Sequence, residues 1–300
     1  MTRALLKWTG RLLAAVLVLV LVGAGVIYAA SERKLRRTYD APVDSVKVPT
    51  DAASITRGEH LARNVIDCTL CHGEDLGGAV YSSSFAIGTM AGPNLTRGKG
   101  GVGADYADMD FVRAIRRGVR RDGRSLIVMP SEVFTHLSQE DLGAVIAFIR
   151  QLPPVDRAVP RSGFGPVGRA LLATGKMNIL VAGKTPHITP PISVPADTTA
   201  AYGKYIADIA GCHGCHGYGL SGGRVAGPPG LPPASNLTPA GIGSWTEVDL
   251  TRAMREGKRP DGSRLNEFMP WKVFRGMTDA EIHAMWLYLR SVPPKPFGNK

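Results

Sequence analysis

The sequence has little cysteine and few aromatic residues. Its 300 residues include four cysteines, and Phe, Trp and Tyr together make up 7% of the chain. A small core with few aromatics is often stabilised by a disulfide, a metal or a bulky cofactor. The cysteines form two Cys-x-x-Cys pairs, and a disulfide within such a pair closes too short a loop to stabilise a fold much. The cysteines therefore need another explanation.

The chain also lacks a basic stripe interleaved with aromatic residues. Its formal net charge is +11, but the positive charge is concentrated near the N-terminus and in the middle of the chain. Nucleic-acid-binding domains cluster lysine and arginine along one face. We therefore expect no nucleic-acid partner and interpret the arginines as solvated side chains that aid solubility and orient docking.

One long apolar run, at residues 12–30, carries no charged residue. As a helix it would span about 28 Å, close to the hydrocarbon thickness of a bilayer. Three basic residues precede the run, as in a signal sequence, and the Gly-Ala-Gly triplet at 23–25 could serve as a small-x-small cleavage site. Because the apolar run continues past this triplet, we predict a membrane anchor at residues 1–31, with a cleaved signal sequence as the alternative.

After a connector at residues 32–52, the sequence repeats itself. We predict two copies of one domain, at 53–155 and 197–300, joined by a Pro/Gly-rich linker at 156–196. Residues 167–182 of the linker predict a short helix that packs between the copies or rests on one of them. The matched segments are 68–72 with 212–216, 94–96 with 236–238, 110–116 with 249–255, 122–123 with 261–262, and 129–130 with 269–270.

Each copy is predicted to be helical, so the predicted fold class is all-α with two tandem domains after an N-terminal transmembrane helix. A first helix leads into the cysteines, and a second covers residues 108–118 or 246–257. The third helix follows Ser138 or Thr278, which begin capping boxes with the acid three residues later. Apolar residues then recur at helical spacing until a Pro-Pro pair ends the helix.

The cysteine pairs are each followed by histidine, and Cys-x-x-Cys-His is the attachment signature of c-type haem. Each thiol adds to one vinyl group of the same porphyrin, so the two sulfurs must flank one edge. The histidine directly after the second cysteine is then held beneath the iron. We expect two covalent haem c groups, bound by Cys68, Cys71 and His72 and by Cys212, Cys215 and His216.

Zinc is the main alternative use of these cysteines. Structural zinc sites need four ligands, often from two Cys-x-x-Cys pairs that are close in sequence. Here the pairs lie in separate copies, each with its own histidine. A thioredoxin-like redox pair would need a βαβ context, which the pattern lacks.

The sixth iron ligand is expected from the Met-Pro segment of each copy, through Met129 and Met269. A thioether is a soft, neutral donor that favours ferrous iron and raises the reduction potential. Met90 and Met109 compete in the first copy but have no counterpart in the second. Met254 aligns with an isoleucine and is expected in the core.

A ligating histidine usually donates its second ring N–H to an acceptor outside the metal site. The carbonyl of Pro93 is the expected acceptor in the first copy, and the aligned loop at 234–237 offers a backbone carbonyl in the second. The remaining histidines show no repeated pattern, so surface or satisfied core roles are expected for His60, His136, His187, His213 and His283.

On these motifs, residues 55–155 and 197–295 each resemble a class I cytochrome c domain. The whole chain resembles bacterial membrane-anchored dihaem cytochromes, including cytochrome subunits of periplasmic dehydrogenases. That resemblance implies an electron donor, either a periplasmic dehydrogenase or a quinol-linked complex, and an acceptor, either a cytochrome or a terminal oxidase. It also implies haem attachment outside the cytoplasm, which places both copies in the periplasm. Counting the basic residues at 33–37 would have placed them in the cytoplasm.

We therefore predict electron transfer in a periplasmic or membrane respiratory chain, without substrate chemistry. Two methionine-ligated irons leave no open coordination position. The alternative is a dihaem enzyme, such as a cytochrome c peroxidase or a thiosulfate-oxidising cytochrome. A peroxidase needs an iron that opens, and the thiosulfate-oxidising cytochromes use a cysteine as an iron ligand, whereas all four cysteines here are needed for attachment. If the signal were cleaved, the same carrier would be soluble in the periplasm.

Overall fold

The computed structural model describes residues 2–185, 188–225 and 230–298. It is mostly helical, as predicted, and the order of its elements follows the repeat. After α1 (Thr2–Arg36), the first copy contains α2 (Ala52–Asn64), α3 (Cys68–His72), α4 (Asp108–Arg117), α5 (Ser131–Phe134) and α6 (Gln139–Gln151). After α7 (Pro166–Ala173), the second contains α8 (Ala200–Ile209), α9 (Cys212–His216), α10 (Pro239–Ile242), α11 (Glu247–Glu256), α12 (Trp271–Phe274) and α13 (Asp279–Ser291).

The N-terminal apolar run forms part of the single continuous helix α1. Its stretch Leu5–Arg36 is long and apolar enough to cross a membrane, and the most apolar window within it has a mean hydropathy of 2.8. The side chains of the most apolar window are 0% buried against the rest of the chain. Such an exposed apolar surface is typical of a membrane anchor and equally of a signal sequence.

The first and last helices of each copy cross at a glycine. A Cβ atom on Gly58 of α2 would lie 2.0 Å from the carbonyl oxygen of Ala144, and one on Gly203 of α8 would lie 1.9 Å from that of Ala284. Since heavy atoms cannot approach so closely, only glycine permits these crossings. Leu61 and Ile206, near the two crossings, are fully buried in the core.

The capping box predicted for α13 forms, but the one predicted for α6 forms only in part. Thr278 and Glu281 satisfy each other's backbone N–H groups at 2.8 and 3.1 Å. Ser138 accepts from the Asp141 N–H at 3.0 Å, but its own N–H donates to the hydroxyl of Tyr205 at 3.1 Å. The Asp141 carboxylate instead accepts from Arg57 and Tyr205. The predicted bond from the Ser138 N–H to this carboxylate is therefore wrong.

A small antiparallel sheet, which the sequence pattern did not predict, joins two strands of the first copy to one strand of the linker. It consists of β1 (Ala79–Ser84), β2 (Gly88–Gly92) and β3 (Gly163–Phe164), in the order β1-β2-β3. Gly88 of β2 pairs with Phe164 of β3. In the second copy, the isolated bridge between Gly223 and Ala234 takes the place of the β1–β2 pair among the described residues.

The linker lies along the first copy and the end of α1. Only the first half of the predicted helix at 167–182 forms, as α7, and it packs against α1 rather than between the copies. Farther along, the Val181 N–H donates to the Leu126 carbonyl at 3.2 Å, and the Gln139 N–H donates to the Pro191 carbonyl at 3.0 Å. The backbone of the linker is therefore tied to the first copy at both places.

Candidate haem sites

Each attachment motif forms one short helix, and the residues directly before and after it have positive φ angles. Asp67 precedes α3 with a φ of 50°, and its carboxylate accepts from the Leu70 N–H at 3.1 Å. Gly211 precedes α9 with a φ of 75°. Gly73 and Gly217 end the two helices, each with a φ of 78°. The turn that carries both cysteines and the histidine therefore has nearly the same backbone in the two copies.

Three of the four thiols of these helices are protonated at neutral pH. Burial raises the pKa of Cys68 to about 12, that of Cys71 to about 11 and that of Cys212 to about 12. A redox-active cysteine pair has a lowered pKa, so the thioredoxin-like alternative is disfavoured. No cluster of three or more His, Cys, Asp or Glu side chains able to hold a metal ion occurs within 2–185, 188–225 and 230–298.

Each motif histidine is held by one backbone carbonyl, as predicted. Nδ1 of His72 lies 2.9 Å from the Pro93 oxygen, and Nδ1 of His216 lies 2.7 Å from the Ser235 oxygen. Burial lowers the pKa of His72, and the Pro93 carbonyl only partly offsets this. His72 is therefore neutral at pH 7, with its proton on Nδ1, because a carbonyl can only accept. The lone pair on Nε2 is left to bind a metal.

The carbonyls are positioned by an Asn-x-Thr loop with the same hydrogen bonds in both copies. In the first, the buried Asn94 side chain donates to the Val155 carbonyl at 2.6 Å and accepts from the Thr96 N–H at 2.9 Å and hydroxyl at 2.8 Å. In the second, Asn236 donates to the Lys295 carbonyl at 2.8 Å and accepts the same pair of bonds from Thr238. This loop ties the acceptor of each histidine to the chain beyond the last helix.

The two methionines proposed as sixth ligands occupy equivalent positions. Met129 and Met269 are half-buried, pack against the core and immediately precede the N-cap prolines of α5 and α12. Val128, just before Met129, has a φ of 69°, which is strained for a β-branched residue. Among the competing methionines, Met90 is buried on β2 and Met109 is half-buried on α4. Met254 is buried in the core, as predicted.

A buried polar atom two residues after Met269 is left without a hydrogen-bond partner in the described part of the second copy. Nε1 of Trp271 is buried and has no hydrogen-bond partner among the described residues. The equivalent Ser131 of the first copy is satisfied, since its hydroxyl donates to the Ala114 carbonyl at 3.0 Å. A lone buried donor is costly unless an acceptor from elsewhere satisfies it. Neutral thiols, a histidine with Nε2 available, a half-buried thioether and this donor together fit haem c.

The remaining histidines behave as satisfied side chains where a partner is seen. His213 lies 2.9 Å from Asp208, His283 lies 2.8 Å from Glu247, and His136 is half-buried. His60 lies 2.8 Å from Glu281 of the other copy. His187 lies outside the described residues.

A buried polar cluster between the copies was not expected from the sequence. We call it the interdomain cluster, and it consists of Arg57, His60, Asp141, Tyr202, Tyr205 and Glu281. Arg57 donates to Asp141 of its own copy at 3.1 and 3.2 Å, and to Glu281 across the interface at 3.0 Å. Tyr205 reaches back the other way and donates to Asp141 at 2.6 Å. Each acid therefore has partners from both copies.

The cluster holds Glu281 ionised although its side chain is only 2% exposed. Burial alone would raise its pKa. The bonds and charges of His60 and Arg57, together with the Thr278 N–H, instead lower the pKa of Glu281 from 4.5 to about 2. In the sequence, Asp141 and Glu281 stand at the same position, three residues after the capping residues Ser138 and Thr278. That position did not reveal the partners of the two acids.

Comparison with known proteins agrees with this geometry. The family model described as cytochrome c matches residues 55–153 and 200–293, which contain both Cys-x-x-Cys-His helices and both Met-Pro segments. The chain belongs to the cytochrome c family. Family membership confirms the predictions that the chain binds haem c and transfers electrons.

Three similar proteins are cytochrome subunits by name. The chain is 29% identical to the fructose dehydrogenase cytochrome subunit of Gluconobacter japonicus over 85% of its length and 56% of that protein. It is 31% identical to the alcohol dehydrogenase (quinone) cytochrome c subunit of Gluconobacter oxydans over 83% of its length and 57% of that protein. It is 30% identical to the gluconate 2-dehydrogenase cytochrome c subunit of Pantoea cypripedii over 78% of its length and 56% of that protein. The chain thus spans little more than half the length of these relatives.

Proposed function

We propose that this chain binds two haem c groups, one in each copy, and carries electrons as the cytochrome subunit of a membrane-bound dehydrogenase in the periplasm. The observation that carries the proposal is the duplicated site. In both copies a Cys-x-x-Cys-His helix has its histidine Nδ1 bonded to a loop carbonyl, at 2.9 and 2.7 Å. The named relatives support the dehydrogenase partner.

The proposed roles follow from the side chains themselves. Cys68 with Cys71, and Cys212 with Cys215, would attach the two porphyrins, and Nε2 of His72 and of His216 would bind the irons. Met129 and Met269 would supply the sixth ligands, because their thioethers are half-buried at equivalent positions. Bound haem supplies one-electron chemistry, while the protein sets the ligands, the burial and the hydrogen bonds that tune it.

In this proposal, α1 anchors the chain and both copies lie in the periplasm. The dehydrogenase subunit or a quinol-linked complex would donate electrons, and a cytochrome or a terminal oxidase would accept them. Two irons with methionine ligands would leave no position for substrate. The chain would therefore carry electrons and would not transform a substrate itself.

Haem counting tests the proposal directly. The variant Cys68→Ala with Cys71→Ala should retain one covalent haem by intact mass, and so should Cys212→Ala with Cys215→Ala. The wild type should carry two. Two haems in either variant would refute the attachment sites, and peroxide turnover well above that of free haem would favour the enzyme alternative.

The dehydrogenase partner is tested by purification from native membranes. A tagged chain should co-purify with the catalytic subunit of a dehydrogenase, and the substrate of that subunit should reduce both haems. Recovery of the chain with a terminal oxidase alone would leave the carrier function standing but contradict the dehydrogenase assignment.

A further inference from the structure

The turn of the β1–β2 hairpin presents an unusually exposed aromatic side chain. Phe85 is 91% exposed, and Val167, on the first turn of α7, is 48% exposed. Neither residue belongs to an attachment motif, to a Met-Pro segment or to the interdomain cluster. Large apolar side chains held in water in this way mark surfaces that bind something apolar.

The two residues belong to one rigid face, because the hairpin turn is tied to the start of α7. The N–H groups of Val167 and Gly168 donate to the Ala86 carbonyl at 3.0 and 3.1 Å. A Cβ atom on Gly165 would lie 2.1 Å from the Phe85 carbonyl oxygen, so the two segments pack backbone to backbone. We call Phe85, Ala86, Pro166 and Val167 the hairpin–α7 face.

Contacts between α7 and α1 show where this face points. The Arg169 guanidinium lies 4.3 Å from the centre of the Tyr28 ring and donates to Glu32 at 3.1 Å. Farther along α7, the carbonyls of Leu172 and Ala173 accept from the Lys34 ammonium at 2.8 and 3.0 Å. Later residues of α7 thus meet later residues of α1, so the two helices run in the same direction.

The start of α7 therefore points toward the apolar run of α1. Val167 precedes Arg169 by two residues, which places it about 3 Å closer to that run along the helix. Tyr28, at the level of Arg169, lies in the last turn of the uncharged residues 12–30 and is 55% exposed. The hairpin–α7 face thus lies at the level of the last apolar turns of α1.

We propose that the hairpin–α7 face inserts into the surface of the phospholipid bilayer as a second membrane contact beside α1. The inference rests on the proposed anchoring by α1. Exposed basic residues surround the end of α1, at Arg33, Arg36 and Arg37, where they suit anionic headgroups. Apolar side chains beside a basic rim are typical of segments that lie in the membrane interface.

This contact would set the position of the first haem site relative to the membrane. Strand β2 runs from the hairpin turn to Gly92, and the next residue, Pro93, supplies the carbonyl that holds His72. A hairpin held at the bilayer would therefore fix the height of the first site. In the described residues of the second copy, no hairpin of this kind follows α9.

Labelling from within the bilayer tests the inference. The full-length haem-loaded chain is placed in nanodiscs of phosphatidylethanolamine and phosphatidylglycerol that contain a phospholipid with a photoactivatable carbene on its acyl chain. Peptides covering 83–87 and 165–168 should be labelled together with those of α1. A peptide containing Tyr218, which is equally exposed at 91% but lies in the second copy, should stay unlabelled.

A charged double variant sharpens the test. Phe85→Asp with Val167→Asp should lose the labelling at 83–87 and 165–168 and keep both haems. The matched control Val248→Asp, at an exposed valine of α11, should leave the labelling unchanged. If α1 of the wild type is labelled but the hairpin–α7 face is not, this inference is overturned while the proposed anchor stands. A mature chain that lacks residues 1–25 by mass would overturn the proposed anchor and this inference with it.

Discussion

The imidazoles of His72 and His216 are each held by one backbone carbonyl, and this bond leaves Nε2 facing away from the loop. Such an outer acceptor fixes both the tautomer and the ring orientation of a ligating histidine. The carbonyl comes from proline in one copy and from serine in the other. A backbone acceptor therefore keeps its function although the residue differs, which side-chain acceptors cannot do.

Replacing the proposed sixth ligands one at a time separates the two irons. Met129→Ala and Met269→Ala should each abolish the sulfur-to-iron absorption of one haem and lower the potential of that haem, because the weak soft donor is lost. Optical spectra and redox titration of the purified chain measure both effects. Met109→Ala is the matched control and should change neither. A variant at 129 or 269 that keeps both absorption bands contradicts the ligand assignment.

The buried asparagines of the two loops should matter for stability. Asn94→Ala or Asn236→Ala leaves backbone groups of the loop without a partner, at a cost of about 1–3 kcal/mol for each unsatisfied group. Denaturant unfolding of the haem-loaded chain should show the loss in both variants. Asn178→Ala, at an exposed linker position, is the control. Equal stability of Asn94→Ala and Asn178→Ala would show that the loop bonds contribute nothing.

Among the elements, one helix crossing holds each copy together. It joins α2 to α6 in the first copy and α8 to α13 in the second. Each crossing relies on a glycine. A Cβ atom added to that glycine would lie only 2.0 or 1.9 Å from a backbone carbonyl oxygen of the facing helix. A carbonyl of a packed helix cannot turn aside as a flexible side chain can. The tight crossings therefore depend on one residue in each copy.

Gly58→Ala and Gly203→Ala should each force a helix pair apart and lower the free energy of unfolding. Overpacking of this kind costs about 1–3 kcal/mol. Thermal unfolding followed by far-UV circular dichroism measures the loss. Gly163→Ala is the control, because the nearest atom to its added Cβ lies 4.0 Å away. Unchanged melting of both crossing variants would mean that the helices separate without cost.

The helices, including the short helices of the two Cys-x-x-Cys-His motifs, were predictable because their signals are local. Each signal spans only a few residues. Examples are the cap at Ser138, the helical spacing that follows it and the five-residue motifs. The sheet was not predictable, because β3 pairs with β2 from far along the chain and β1 is rich in serine. The failed half of the α6 capping box has the same origin, since Tyr205 of the other copy displaced the local partner.

For the whole molecule, the interdomain cluster joins the two copies through an ion pair and hydrogen bonds that cross the interface. Glu281 lies against Arg57 and His60, whereas Asp141 accepts from Tyr205 as well as from Arg57. The partners are separated by 64 to 224 positions in the chain. No pattern within a window of sequence indicates such contacts, which is why the histidine of the cluster was expected only to be satisfied.

The cluster should make the stability of the chain depend on pH. The pKa of Glu281 is lowered in the folded chain, from 4.5 to about 2. Its stabilisation is therefore complete above about pH 4.5 and is lost as the pH falls toward 2. The shift corresponds to a contribution on the order of 3 kcal/mol. Glu281→Gln should melt well below the wild type at pH 7, and the two should converge at low pH.

Thermal unfolding between pH 7 and pH 2 checks this expectation. Glu132→Gln, at an exposed carboxylate on α5, should follow the wild type at every pH. A constant gap between Glu281→Gln and the wild type would show that the carboxylate acts by packing and not by its charge.

The crossing glycines, Gly58 and Gly203, align the two copies, and the alignment pairs Arg57 with Tyr202 and His60 with Tyr205. Asp141 and Glu281 are paired in the same way by their caps. His60 lies against Glu281 of the second copy, and the equivalent Tyr205 donates to Asp141 of the first, which is the arrangement of an isologous contact across a two-fold axis. Because a single copy carries both halves of such a contact, we expect an excised first copy to self-associate through Arg57, His60 and Asp141. The two joined copies are thus arranged like the two subunits of a homodimer. Because each copy has its own sequence, the two can differ.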